Sequence, residues 1–121
     1  MSVALPLSRE RYEAERKRLT EYLSELAGLE HDPTAHYAPF DDGGMGSFRI
    51  VDRSSGVETP EAVIDEYCFD DLDNVGVLVT VYSKGDGFIS SVDFWKLDFS
   101  PIKAFPSNAD LRKPEIVNRD I

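Results

Sequence analysis

The chain has 121 residues, of which 41% are hydrophobic and 30% charged, a composition typical of one globular domain and not of a disordered segment. Thirteen Lys and Arg residues stand against 23 Asp and Glu residues, so the formal net charge is −10. A field of this sign repels nucleic acid and anionic lipid and accelerates association with basic surfaces, so we expect neither a nucleic-acid nor a membrane partner. Acidity also keeps proteins soluble, and composition alone does not separate the two roles.

Cysteine and histidine are scarce. The single cysteine, Cys68, excludes an intramolecular disulfide. Only His31 and His36 are available to join it, without paired-ligand spacing, so we expect no metal and no cofactor. The amino terminus lacks the basic start and long apolar run of a signal peptide, and no segment approaches the roughly 20 apolar residues of a membrane span. We therefore expect a cytoplasmic protein.

The first predicted element is a helix over residues 9–27. Ser8 is placed to cap its first turn, and Leu7 is spaced from Tyr12 as a hydrophobic staple. Apolar side chains at helical spacing mark one buried stripe, made of Tyr12, Leu19, Tyr22, Leu23 and Leu26. Gly28 is suited to end the helix because it adopts a left-handed conformation without a steric penalty.

Residues 28–46 follow as a predicted irregular loop rich in Gly and Pro. Its most distinctive segment is Asp41-Asp42-Gly43-Gly44-Met45-Gly46-Ser47. The segment lacks the Lys-Ser/Thr end of a phosphate-binding loop, and its two acids would repel phosphate. We expect a structural turn, or a rigid acidic loop that faces a partner.

Residues 47–98 carry strand patterns. The four strand-like runs are Ser47–Asp52, Ala62–Phe69, Val75–Tyr82 and Phe88–Leu97. Short turns between them, such as Ser54-Ser55-Gly56 and Lys84-Gly85-Asp86-Gly87, favour an antiparallel meander. The tail, 99–121, turns polar beyond Pro106, and we expect its end to be loosely held. The predicted fold of this single domain, 1–121, is therefore α+β, with the N-terminal helix packed on a four-stranded antiparallel β-meander in two layers.

The second face of the predicted sheet also carries apolar side chains, among them Ile64, Leu78 and Tyr82. Such a face is seldom left fully in water. We expect either the loop around Tyr37 and Phe40 or a partner to cover it.

Side chains that do chemistry are sparse. His31 and His36 share the loop after the helix, where such residues are usually solvated, so we expect no catalytic residue and no enzyme. The run Asp70-Asp71-Leu72-Asp73-Asn74 alternates oxygen ligands but lacks the glycine and distant glutamate of an EF-hand loop, which favours a solvated turn over a calcium site. The alternative is a small ligand-binding domain or enzyme that uses the His31–His36 loop with Asp41 and Asp42.

Two motifs support a resemblance. Asp42–Ser47 reads DGGMGS, and Asp93–Pro101 reads DFWKLDFSP. On these motifs the segment from Asp41 to Pro106 resembles a family of small uncharacterised bacterial domains that share DGGMGS and DFWKxDFSP elements. Domains of this size and acidity are similar to the immunity proteins of contact-dependent and polymorphic toxin systems. The resemblance implies a protein that acts by binding a partner.

We therefore expect an immunity-type inhibitor of a cognate toxin protein with a basic active-site cleft, such as a nuclease or another enzyme acting on nucleic acid or nucleotides. The expected partner-binding residues are the acids of two turns and one aromatic residue, namely Asp41, Asp42, Asp70, Asp71, Asp73 and Tyr82. The last aromatic residues are expected to form a structural corner in preference to a binding hot spot; these are Phe94, Trp95, Phe99 and Phe105, with Pro101 among them.

Overall fold

A computed structural model describes residues 9–51 and 60–114 of the chain. The elements in this part are α1 (Arg9–Ala27), β1 (His36–Pro39), β2 (Phe48–Val51), β3 (Ala62–Asp70), β4 (Gly76–Ser83), β5 (Ile89–Lys96) and a 3-10 turn (Asn108–Asp110). The strands form one sheet in the order β1-β2-β5-β4-β3, and all neighbours are antiparallel. The predicted α+β class with an antiparallel sheet is confirmed.

The predicted strand number and order are wrong. The structure adds β1, which lies inside the predicted loop over 28–46. This strand is short, ends at Pro39 and occupies a sheet edge, where proline costs no ladder hydrogen bond. The sheet is also not a sequential meander, because Phe48 of β2 pairs with Val92 of β5 and not with β3. Only β3, β4 and β5 follow one another as a meander.

The helix spans the same residues as the prediction and packs on one face of the sheet. Leu19 and Leu23 are fully buried there, and Gly28 ends the helix with a φ of +70°. The core they join also contains Tyr37, Phe48, Tyr67, Phe69, Val77, Val79, Val81, Ile89, Val92, Phe94 and Phe105. Leu26, which the predicted stripe includes, is exposed. In the described part of the chain, no helix is long and apolar enough to cross a membrane.

Three predicted features lie outside the described residues. They are the Ser8 cap, the Leu7 staple and the turn at Ser54-Ser55-Gly56.

The tail is held more firmly than predicted as far as residue 114. Cys68 and Arg112 exchange two backbone hydrogen bonds, of 2.8 and 3.0 Å, which cover part of the β3 edge. Phe105 is buried in the core, and the Arg18 guanidinium donates to the Pro106 carbonyl at 2.6 Å. Residues 115–121 lie outside the described part.

Candidate partner-binding face

The sheet face opposite α1, which we call the open face, presents its side chains in three rows across β3, β4 and β5. The strand register gives the rows as Cys68–Leu78–Trp95, Glu66–Thr80–Asp93 and Val63–Tyr82–Ser91. An acidic row therefore lies between two rows that carry the apolar and aromatic groups.

Two expectations about this face are corrected by the structure. Strict alternation over Ala62–Phe69 predicts that Val63 shares the core face with Tyr67. A bulge between Val63 and Asp65 shifts the register, so Val63 lies opposite Tyr82 on the open face instead. Of the two covers expected for this face, a loop or a partner, the loop around Tyr37 and Phe40 is wrong. Tyr37 is buried on the helix side, with its ring 5.9 Å from the Phe48 ring.

Trp95 and Phe99 form an aromatic pair at the end of β5. Their ring centroids are 5.1 Å apart at an interplanar angle of 85°, and the two residues are 45% and 63% exposed. Leu97 is also exposed and lies over Gly76, where an added Cβ would come within 3.2 Å of the Leu97 side chain. We call Trp95, Leu97 and Phe99 the apolar patch.

The predicted structural corner is therefore only half correct. Phe94 and Phe105 are buried and pack edge to face at 5.6 Å, as a structural corner requires. Trp95 and Phe99 face away from this core. Exposed aromatic groups in a cluster mark interaction surfaces more often than they serve folding.

The backbone at Phe99 is strained. Its φ is +63°, a left-handed conformation that bulky residues rarely adopt. The turn is held by the Phe99 N–H, which donates to the Lys96 carbonyl at 2.9 Å. The Asp98 carboxylate accepts hydrogen bonds from the Ser100 hydroxyl and N–H at 2.7 and 3.0 Å, and these bonds lower the pKa of Asp98. A strain of about 1–3 kcal/mol thus keeps an aromatic ring in solvent, which points to a role for that ring outside folding.

Lys96 anchors the turn from the other side of the strand. Its side chain is 0% exposed, and Nζ donates to Asp71 at 2.8 Å, Asp73 at 2.7 Å and the Pro101 carbonyl at 3.2 Å. Burial alone would lower the pKa of Lys96, but the hydrogen bonds to Asp71 and Asp73 outweigh burial and raise it. The bond from Lys96 likewise lowers the pKa of Asp73. The acidic turn therefore does hold a cation, which is the Lys96 ammonium.

The predicted acids of this turn lie in different environments. Asp71 is buried and also accepts the Lys103 N–H at 2.8 Å, so its carboxylate is committed to the fold. Asp73 is partly exposed and shares Lys96. Asp70 is exposed, in a 3.3 Å ion pair with Arg112.

Tyr82, the predicted aromatic anchor, is half-buried on the open face. It is six residues along β4 from Gly76, which pairs with Asp70, so the two predicted contacts are about 20 Å apart. They mark opposite ends of the open face.

The glycine-rich segment is a structural turn, which is one of the two predicted alternatives. The Asp42 carboxylate accepts the N–H groups of Met45 and Ser47 at 3.1 and 3.0 Å, while Asp41 is exposed. Gly46 has a φ of +107°, and an added Cβ would lie 2.6 Å from Ile102.

The two motifs pack against each other. Gly44 accepts the Ile102 N–H at 3.0 Å, and Ser47 Oγ accepts the Phe94 N–H at 2.8 Å. The DGGMGS turn therefore braces the end of β5 that presents the apolar patch.

The residues of the alternative hypothesis do not form one site. His31 lines a cavity at the other end of the sheet, which His36, Asp41 and Asp42 do not line. The His36 side chain is 84% exposed, 3.9 Å from Glu13. Within residues 9–51 and 60–114, no group of three or more His, Cys, Asp or Glu side chains is arranged to hold a metal ion.

The residues that sequence reasoning missed are Lys96, Trp95 and Phe99. Alternation along β5 puts Trp95 on the face opposite Phe94, but this pattern does not show which of the two faces the helix covers. The Lys96 ion pair has no local signal, because Asp71 is 25 residues away in the chain.

A family model described as "Domain of unknown function (DUF6984)" matches residues 8–106, and the chain belongs to this family. The matched range holds α1, all five strands and both motifs. The expectation of an uncharacterised domain family is confirmed. No curated protein and no solved structure matches the chain.

Proposed function

We propose that this protein is a cytoplasmic immunity-type inhibitor, which binds a cognate bacterial toxin through the open face and blocks a basic active-site cleft. The observation that carries the proposal is the exposed Trp95–Phe99 pair, held in a strained turn on a strongly acidic chain. The toxin is an enzyme that acts on nucleic acid or nucleotides, because such enzymes carry the basic clefts that an acidic protein complements.

The apolar patch would supply binding energy. Tryptophan is enriched among the few interface residues that dominate affinity, and such residues lie in a region from which water is excluded. Trp95 is positioned by β5, and Phe99 supports its ring from one side. A rigid aromatic anchor loses little side-chain entropy on binding.

The acidic residues around the apolar patch would attract the basic partner and orient it on the open face. Asp93 precedes Trp95 on the open face, Glu66 extends the same acidic row, and Asp98 is exposed between Leu97 and Phe99. Complementary charge of this kind mainly raises the association rate, and this acceleration becomes smaller as the salt concentration rises.

The predicted acids take different parts in this proposal. Asp41 and Asp70 are exposed and would contribute to steering, Asp70 from its surface ion pair with Arg112, and Tyr82 would be an anchor at the far end of the open face. Asp42, Asp71 and Asp73 support the turns that hold the patch and would act on binding only indirectly. The protein would work by occupying a cleft and not by catalysis.

The proposal is tested by co-expression with the protein encoded next to it, whose toxicity is measured as loss of growth. The wild-type chain should restore growth, and Trp95→Ala should not. Leu26→Ala is the matched control, because Leu26 is 46% exposed on the helix, on the other side of the sheet. A neighbouring protein that is not toxic, or full protection by folded Trp95→Ala, would overturn the proposal.

A further inference from the structure

The outer edge of β3 is partly covered by residues 112–114, which we call the strap. The Cys68 N–H donates to the Arg112 carbonyl at 2.8 Å, and the Arg112 N–H donates to the Cys68 carbonyl at 3.0 Å. In the described part of the chain, this is the one position at which the strap pairs with β3. Alternation directs the backbone groups of Glu66 and Asp70 to the same side of the strand as those of Cys68. The strap therefore occupies one position of an edge that is long enough for a full strand.

The two cations of the strap meet acidic groups of β3. The Arg112 guanidinium pairs with the Asp70 carboxylate at 3.3 Å. Lys113 pairs with the Asp65 carboxylate, and its ammonium lies 4.3 Å from the centre of the Tyr67 ring. Asp65 is held in place by the Tyr67 hydroxyl, which donates to it at 2.5 Å. The β3 edge thus holds two consecutive basic residues of an extended chain.

The strap is attached more weakly than the chain before it. The side chains of Arg112 and Lys113 are 55% and 62% exposed, and ion pairs with such exposure contribute little because water and salt screen them. The firmer attachments lie earlier, at Phe105, which is buried in the core, and at Leu111, which is partly buried against it. The strap can therefore leave the edge while the core stays intact.

The charge of the edge decides what could replace the strap. Glu66 and Asp70 are exposed, and the Asp65 carboxylate accepts the Glu66 N–H at 2.9 Å. Edge strands are templates for pairing with another chain. A second copy of this protein, with a net charge of −10, would be repelled by this edge, whereas a basic segment would be attracted.

We propose that the β3 edge binds an extended basic segment of a partner protein, which adds as a strand in place of the strap and repeats its contacts with Asp70 and Asp65. The strap is then an intramolecular competitor, which such a segment displaces. Segments that add to a sheet edge gain affinity from main-chain hydrogen bonds and specificity from side-chain contacts. The inference goes beyond the proposed function, since it concerns the edge of the sheet and not the apolar patch.

The test uses a peptide of sequence Thr-Val-Arg-Lys-Val-Thr with blocked ends, titrated into the full chain while NMR follows hydrogen exchange of two backbone amides. The Arg112 N–H should lose its protection as the peptide binds, because the peptide takes its acceptor on Cys68. The Cys68 N–H should stay protected, because a peptide carbonyl replaces that of Arg112. The same peptide with Gln-Gln in place of Arg-Lys should bind about fivefold more weakly, the effect of two partly exposed ion pairs.

Three results would overturn the proposal. They are no binding of the basic peptide at roughly 5 mM, binding that leaves the Arg112 amide protected, and equal affinity for the two peptides.

Competition by the strap is tested with Arg112→Pro, which removes the N–H that donates to Cys68. The preceding residue, Leu111, already has the extended backbone that proline requires, with φ −75° and ψ 129°. This variant should bind the basic peptide about tenfold more tightly than the wild type, because the edge is no longer occupied. Lys17→Met, which removes one positive charge from the exposed helix surface, is the control and should bind as the wild type does.

A second strap variant makes the test independent of the proline. Arg112→Glu combined with Lys113→Glu keeps the backbone donors but sets the strap against Asp70 and Asp65. It should show the same gain in affinity for the basic peptide. If the folded strap variants bind the peptide no more tightly than Lys17→Met, the strap does not compete for the edge and the proposal is overturned.

Discussion

Trp95 and Lys96 are neighbours in the chain, yet their side chains leave β5 on opposite faces, the indole 45% exposed and the ammonium fully buried on Asp71. Alternation along the strand makes this arrangement possible. The buried ion pair fixes the turn that follows, and the exposed indole is the surface that this turn and Phe99 support. Stability and binding therefore depend on different residues at adjacent positions.

Replacing the buried cation should destabilise the fold. Lys96→Met keeps much of the side-chain volume but leaves the Asp71 carboxylate buried without its ammonium, which we expect to lower the free energy of unfolding by about 3 kcal/mol. Urea unfolding measures this change. Lys17→Met, on the exposed helix surface, is the control and should change it by less than about 0.5 kcal/mol. Equal stability of the two variants would show that the Lys96 ion pair contributes nothing to the fold.

At alkaline pH the free energy of unfolding should begin to fall near the ordinary pKa of tyrosine. Burial raises the pKa of Tyr37 from 10.0 to about 12, and the pKa of Lys96 is raised above 10.5 by hydrogen bonds to its carboxylates, which outweigh burial. Folding thus favours the protonated form of both groups. Their contribution is complete below the unfolded pKa values and is lost as pH rises through the folded ones. The free energy of unfolding should fall between pH 10 and 12, and the fall should be shallower in Tyr37→Phe.

At acid pH the free energy of unfolding should change in the opposite direction, falling as the pH falls. The pKa of Asp73 is lowered from 3.8 by its bond to Lys96, and the pKa of Asp98 by its bonds to Ser100. Their stabilisation is complete above pH 3.8 and is lost as pH falls through the lowered values. Urea unfolding in an acid pH series should show a smaller decline for Asp98→Asn than for the wild type. If the free energy of unfolding declines equally in both proteins, Asp98 does not contribute to the acid sensitivity of the fold.

The DGGMGS turn offers a matched glycine pair. Gly46 and Gly43 both have positive φ, but an added Cβ meets Ile102 at 2.6 Å only at Gly46. Gly43→Ala should therefore cost about 1 kcal/mol for the backbone alone, and Gly46→Ala about 2–4 kcal/mol because it adds a clash. Thermal unfolding of the two variants gives the comparison. A smaller loss for Gly46→Ala than for Gly43→Ala would show that the two motifs are not packed tightly.

Local pattern predicted the helix, the four strand runs that the structure gives as β2 to β5, and the antiparallel class, because these depend on periodicity and turn residues that are close in sequence. It failed where the deciding contact is distant. Phe48 pairs with Val92, which is 44 residues away, and Lys96 pairs with Asp71, which is 25 residues away. The local sequence around these residues does not indicate which distant segment each one contacts. The bulge at Val63 also reversed a face assignment that strict alternation gave.

For the candidate site, the sequence predicted the types of side chain but not which of them are exposed. Negative charge and aromatic side chains could be predicted from composition, but the run from Asp70 to Asn74 was expected to be a solvated turn. Asp71 is buried, and Trp95 and Phe99, which were predicted to form a structural corner, are exposed. A DFWK run gives no signal that its Trp faces solvent and its Lys does not, until the helix is placed on one side of the sheet.

The central claim is that the open face is the partner-binding surface, and the single tryptophan of the chain tests it directly. The protein is labelled with 5-fluorotryptophan, which gives one fluorine resonance from Trp95, and the product of the neighbouring gene is added until gel filtration shows a complex. The account predicts that this resonance shifts on binding and loses its sensitivity to solvent deuterium, because the indole becomes buried. A complex in which the resonance keeps its position and its solvent sensitivity would contradict the account.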